Sequence, residues 1–181
     1  MNHKRLLSSL TLAVIGMQPL GAAVAAEASS VSDMFTGGSA STAFRYRYES
    51  VDQDGIDKQA NASTLKSRLT WTSATYKDFK TVLEFDNVTV IGGENYKTPT
   101  NGKAGYPIVA DPKGTDVNQA YIHHQSSDLS ATLGRQRILH GGQRFVGGVG
   151  WRQNEQTFDA LRLTLPDVNS VKIDYSYIWN V

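Results

Sequence analysis

Arg45 and Arg47 alternate with Phe44, Tyr46 and Tyr48, and Lys66 and Arg68 recur at the same spacing further along the chain. A repeat of two is the side-chain period of a β-strand, so each cationic pair shares one face of its strand. If the two segments are neighbours, four cations form one patch. The planar fork of arginine suits carboxylates, and rows of Arg and Lys are how anion pores select their solutes. Lys80 and Arg162 fall in the same phase of later segments, so Arg45, Arg47, Lys66, Arg68, Lys80 and Arg162 are the expected anion-contacting residues of a pore wall. Glu49, Glu84, Asp86 and Asp174 share that phase, and the alternative is that they pair with the cations and the patch only stiffens the wall. Arg135, Arg137, Arg144 and Arg152 flank a Gly-rich stretch and are the candidates for a constriction loop that folds inward.

Other chemistries find no support. Asp52, Asp54, Gly55 and Asp57 resemble a calcium loop, but an EF-hand has glycine at its sixth position and glutamate at its twelfth, where this chain has glycine at the fourth and Ser63 at the twelfth. An Asp-Gly turn in a solvated loop is the reading kept. His123 and His124 are adjacent in a strand, point to opposite faces and cannot hold one metal together. No Ser, His and acid stand in an arrangement that suggests catalysis. Gly147, Gly148 and Gly150 lack the strand and helix that a phosphate-binding loop needs. No catalytic residue, metal or cofactor is expected.

The elements that must carry the cations are strands. Seven segments alternate apolar and polar residues: Thr42 to Glu49, Leu65 to Ser73, Phe79 to Asp86, Gln119 to His123, Leu129 to Gly134, Ala160 to Leu165 and Val171 to Trp179. Such segments, joined alternately by short turns and long loops, are the mark of an outer-membrane barrel. The short connections are Ala74 to Asp78, Ser126 to Asp128 and Pro166 to Ser170; the long ones are Ser50 to Thr64, Val88 to Gly114 and Leu139 to Glu155. Tyr46, Tyr48, Trp71, Phe79, Tyr177 and Trp179 fall toward strand ends on the apolar face, where aromatic rings sit well at a lipid headgroup boundary.

The first residues read as an address. Lys4 and Arg5 precede an apolar run from Leu6 to about Met17, and Ala23-Val24-Ala25 supplies an A-x-A processing site, so residues 1–26 are expected to be a cleaved signal peptide and 27–181 the barrel portion. The run is too short for a spanning helix. With 18 Lys+Arg against 17 Asp+Glu, the formal net charge of +1 gives no general attraction to nucleic acid. The absence of cysteine excludes a disulfide scaffold.

The segments F-R-Y-R-Y-E at Phe44 to Glu49, T-L-K-S-R-L-T-W at Thr64 to Trp71, L-G-R-Q-R at Leu133 to Arg137 and R-F-V-G-G-V-G-W-R-Q-N-E-Q-T-F-D-A at Arg144 to Ala160 resemble the alginate export family of outer-membrane porins. The resemblance implies the N-terminal portion of a large all-β antiparallel transmembrane barrel, whose electropositive constriction passes an anionic uronate polymer. It also implies the bacterial outer membrane as location. An odd count of seven strands leaves two open edges, so the expected partners are outer-membrane lipid, an anionic solute or polysaccharide, and further strands or subunits that close the barrel. Three alternatives stand beside this reading. They are a small eight-stranded barrel completed by Asp33 to Ser39, a secreted β-sandwich that binds glycans or surfaces, and an outer-membrane barrel hydrolase.

Overall fold

The computed structural model describes residues 8–12, 27–166 and 171–181. The expected leader and its processing site lie outside the described residues, apart from Ser8–Leu12, as does most of the turn expected at Pro166 to Ser170. Eight strands form a single sheet in chain order: β1(Ser8–Leu12), β2(Ser39–Val51), β3(Ala60–Thr72), β4(Phe79–Val90), β5(Gly114–Gln125), β6(Ser130–Gln136), β7(Phe158–Thr164) and β8(Asp174–Asn180). Every neighbouring pair is antiparallel. The seven expected strands correspond to β2–β8. The additional β1 falls in the segment read as leader and pairs with β2, Leu10 opposite Tyr48. β1 and β8 are not paired with each other, so the described sheet is open, a piece of barrel wall.

β2 and β3 have 13 residues each and β4 and β5 have 12, enough for a tilted strand to cross a bilayer. They run further than alternation alone indicates. The expected loop from Ser50 to Thr64 is ladder at both its ends, with Val51 opposite Ala60 and residues 52–59 left as connection. Backbone pairing is indifferent to side-chain polarity, and Val51, Ala60 and Ala62 gain an apolar lid from Tyr96 and Val109 of the next long loop. At the opposite end Lys77 and Asp78 both have positive φ, 47° and 66°, the geometry of a tight hairpin turn whose twist matches its strands.

Two irregularities shift the register of the later strands. Glu84 faces Gln119 while Phe85 faces Val117, so Asn118 is an extra residue in β5 and the phase slips there. A second slip sets Asp159 opposite Asn180 and Ala160 opposite Ile178. Gly134, opposite Tyr121 and Ala160, has φ +120°, and a Cβ there would lie 2.3 Å from the Ala120 carbonyl oxygen. Only glycine fits.

The sheet is inside-out relative to a soluble protein. Leu69 is 47% exposed, Leu133 51% and Tyr177 59%, with Phe44, Phe85, Ile122 and Trp179 similarly uncovered on the same side. On the other face Arg47 is 2% exposed and Glu84 4%. A contiguous apolar surface of this kind is unsuited to water and suited to lipid. A sandwich would cover it with a second sheet, and the described residues form one. Nor do residues 33–39 supply a closing strand. Val31–Thr36 is a short helix, α1, capped by Ser30, whose side chain accepts from the Asp33 N–H at 3.1 Å. Its Phe35 stacks on Trp71 with ring centroids 5.8 Å apart.

Candidate functional site

The inward face carries the charged rows, and two long loops fold onto it. Arg45 sits directly opposite Lys66, and Arg68 directly opposite Asp86. Like charges face to face on neighbouring strands are unfavourable unless acids or hydrogen bonds compensate them. Here both kinds of compensation occur.

The lower cluster centres on Arg68, whose Nε and Nη2 donate to the two oxygens of Asp86 at 2.7 and 2.6 Å. Lys66 Nζ lies 3.6 Å from Asp86, and Thr70 donates to Glu84 at 2.8 Å. Into this cluster the 137–157 loop sends Arg137 and Glu155. Arg137 donates to Glu155 through Nε at 2.7 Å and Nη2 at 2.6 Å, and also to Glu84. Arg68 completes the link with a hydrogen bond to Glu155. The extra residue Asn118 bridges the two acids, at 2.7 Å to Glu84 and 2.6 Å to Glu155. Burial pushes the Glu155 carboxyl up, but the hydrogen bond and charge of Arg137, the charge of Arg68 and the Asn118 amide outweigh it and hold the group at about 2.

The upper cluster joins both loops to β2. Arg47 pairs with Glu49 at 2.7 Å and Arg152 with the same acid at 2.9 Å, while Asp111 of the 91–113 loop lies 3.6 Å from Arg152. The guanidinium carbons of Arg152 and Arg47 stand 4.0 and 4.9 Å from the centre of the Trp151 ring. Gln153 is fully buried and acts as a peg. Its amide nitrogen donates to the Arg45 carbonyl at 3.1 Å and to Thr64 Oγ1 at 3.0 Å, its side-chain oxygen accepts from Arg45 Nε at 2.9 Å, and its backbone N–H donates to Asp111 at 2.8 Å. Arg45 Nη1 donates to the Gly150 carbonyl at 2.9 Å. Beneath the base of the loop, Ile138, Phe158 and Ala160 form a small apolar core with Val146 and Ile178.

The six expected wall residues all lie on the inward face, but not as a free patch. Arg47, Lys66 and Arg68 have acidic partners, Arg162 is clasped by Asp174, and Arg45 is held by loop carbonyls and Gln153; Lys80 has no acid within ion-pair distance among the described residues. The four loop candidates separate. Arg137 and Arg152 lie in the inward fold, and Arg144 stands at the loop tip beside the 93% exposed Phe145. Arg135 lies on the outward row, opposite Ala120 and Asp159, and donates to the Asp159 carboxylate at 2.7 and 2.9 Å.

Compared with known protein families, the chain matches the one described as alginate export, over residues 38–176. The chain belongs to the alginate export family. No curated protein and no solved structure matches it. Alginate export proteins are outer-membrane porins, a transport family and not an enzyme family, and the lipid-suited outer face and charged inner face of this member accord with that. Sequence reasoning missed Asp111, Asn118, Gln153 and Glu155 as members of the site. Three of them lie in loops and the fourth at a bulge, where no periodicity marks a face. The W-R-Q-N-E run from Trp151 to Glu155 was the available signal, since it supplies both the peg and the acid.

Proposed function

We propose that this chain forms part of the wall of an outer-membrane conduit for an anionic polysaccharide of the alginate type or for small anionic solutes. On this reading the 137–157 loop narrows the passage on the long-loop side. One observation carries it: the charged face is turned toward a space occupied by inward-folded loops, while the opposite face presents an uncovered apolar surface. Family membership supports the same direction of inference. Residues 1–26 act as an export signal removed on the way to the membrane. With residues 1–26 removed, β1 is absent and the edges of the sheet are β2 and β8; in lipid their backbone groups need hydrogen-bond partners, so further strands or subunits adjoin β2 and β8.

The partnering of the cations decides which of them set selectivity. Paired guanidiniums contribute little net field, whereas Arg45 and Lys80 have no acid bound to them among the described residues. Reversal potentials in planar bilayers under a salt gradient test the reading. Anion preference is expected for the assembled porin, and Arg45→Gln combined with Lys80→Gln should shift the reversal potential toward cations. Cation preference in the unmodified protein, or no shift in the double variant, would refute it.

A further inference from the structure

Near the short-turn end of the sheet, one ladder row runs across four strands. Lys80 of β4 faces His123 of β5, His123 faces Thr132 of β6, and Thr132 faces Arg162 of β7. Cross-strand neighbours stand about 5 Å apart, so the long side chains of this row meet over one spot. They line a cleft of about 190 Å³ together with Arg137. Tyr121 adds a hydroxyl to it, and no carboxylate is among the lining residues.

Three of the four donors are held by hydrogen bonds. Nε and Nη2 of Arg162 are engaged by Asp174, and the same two atoms of Arg137 by Glu84 and Glu155, which leaves each Nη1 without a hydrogen bond among the described residues. The His123 ring is fixed by Thr132, Nδ1 to Oγ1 at 2.9 Å. Lys80 makes no ion pair or hydrogen bond among the described residues. The acids that steer the guanidiniums stand outside the cleft. A small space bordered by nitrogen donors from several strands and by no acid is built for negative charge. Its size is below the roughly 300 Å³ at which organic-ligand pockets begin, which suits a compact ion better than a whole sugar residue.

We propose that this cleft binds a compact inorganic oxyanion, with phosphate as its type, between Lys80, His123 and the unengaged edges of Arg137 and Arg162. The assignment uses the inward face described above and does not depend on conduction. The test is titration calorimetry of inorganic phosphate into the full chain in detergent micelles. Saturable binding is expected, with sulfate competing and glucuronate not. Lys80→Gln, which breaks no hydrogen bond, should weaken binding at least tenfold with an unchanged far-ultraviolet spectrum. Arg162→Gln should do the same, and Lys58→Gln in the 52–59 loop should leave it unaltered. Should Lys80→Gln fold poorly, His123→Gln serves in its place, with the same expected loss. Absence of saturable binding, binding indifferent to the cleft variants, or displacement by glucuronate at lower concentration than sulfate would overturn the proposal. Phosphate binding that persists in a cation-selective protein would sink the conduit reading and leave this one standing.

Discussion

Glu155→Gln removes the charge through which the 137–157 loop is tied to the wall. The carboxylate accepts hydrogen bonds from Arg137, Arg68 and Asn118, and its side chain is 7% exposed. Removing one partner of a buried ion pair costs about 3–5 kcal/mol. Arg137 retains Glu84, Arg68 retains Asp86, and glutamine keeps one acceptor oxygen, so the loss of loop docking falls to about 2–3 kcal/mol, the equivalent of one or two charged hydrogen bonds. At about 1.4 kcal/mol per tenfold change, that is a shift of roughly 30- to 150-fold toward the open loop. Hydrogen exchange reads it directly. The Gln153 N–H bound to Asp111 at 2.8 Å and the Gln156 N–H bound to Gly148 at 2.7 Å should lose protection by that factor, while amides of β3 and β4 keep theirs. Acid should act in the same direction. Because Glu155 is held at about 2, below its ordinary 4.5, it contributes docking in full above pH 4.5 and loses it as pH falls toward 2. Unchanged protection of Gln153 in the variant would show that the loop is held by Gln153 and the upper cluster, and that the Glu155 network is incidental.

Two further perturbations test the sheet itself. Gly134→Ala places a methyl 2.3 Å from the Ala120 carbonyl oxygen and 3.0 Å from the Tyr121 Cα, at a backbone angle alanine resists, so a loss above about 3 kcal/mol is expected as a lowered unfolding temperature in detergent; a temperature equal to that of the unmodified protein would mean the β5–β6 pairing is wrong. Leu133→Arg puts a charge on the outward row and should cost up to about 2–4 kcal/mol in urea unfolding from bilayers, less if Leu133 lies near the interface; no cost at all would remove that row from lipid.

Strands β2–β4 were legible because their side chains obey one physical rule, alternation between two solvents, and the rule leaves a period of two in the sequence. That period placed Arg45, Arg47, Lys66 and Arg68 on one face with Glu84 and Asp86. It carried no information about distance along the third dimension, so the alternation could not say whether the cations stood free or paired. The answer depended on loops. Glu155 and Asp111 reach the wall through backbone excursions with no repeat, and Gln153 is a polar residue in a Gly-rich stretch until its three-way contact with Arg45, Thr64 and Asp111 is seen. Arg135 failed to join its sequence neighbour Arg137 for the converse reason. It is still inside β6, where one residue decides the face, and the chain leaves the ladder only after Gln136.

The pairing of charges also bears on how such a wall can be both stable and attractive to anions. A run of bare cations on adjacent strands would repel itself and weaken the sheet, while complete neutralisation would leave nothing to draw a solute. In this chain the two demands are met at different heights. Near the long loops, Arg47 and Arg152 meet Glu49 and Asp111, and Arg68, Arg137 and Lys66 meet Glu84, Asp86 and Glu155, so each cluster is close to neutral and its hydrogen bonds go into holding the loop. Nearer the short turns, Lys80 has no acid bound to it among the described residues. Selectivity should therefore follow Lys80 more than the Arg-rich patch. Mutations in that patch should show first as a mobile loop and only then as altered permeation.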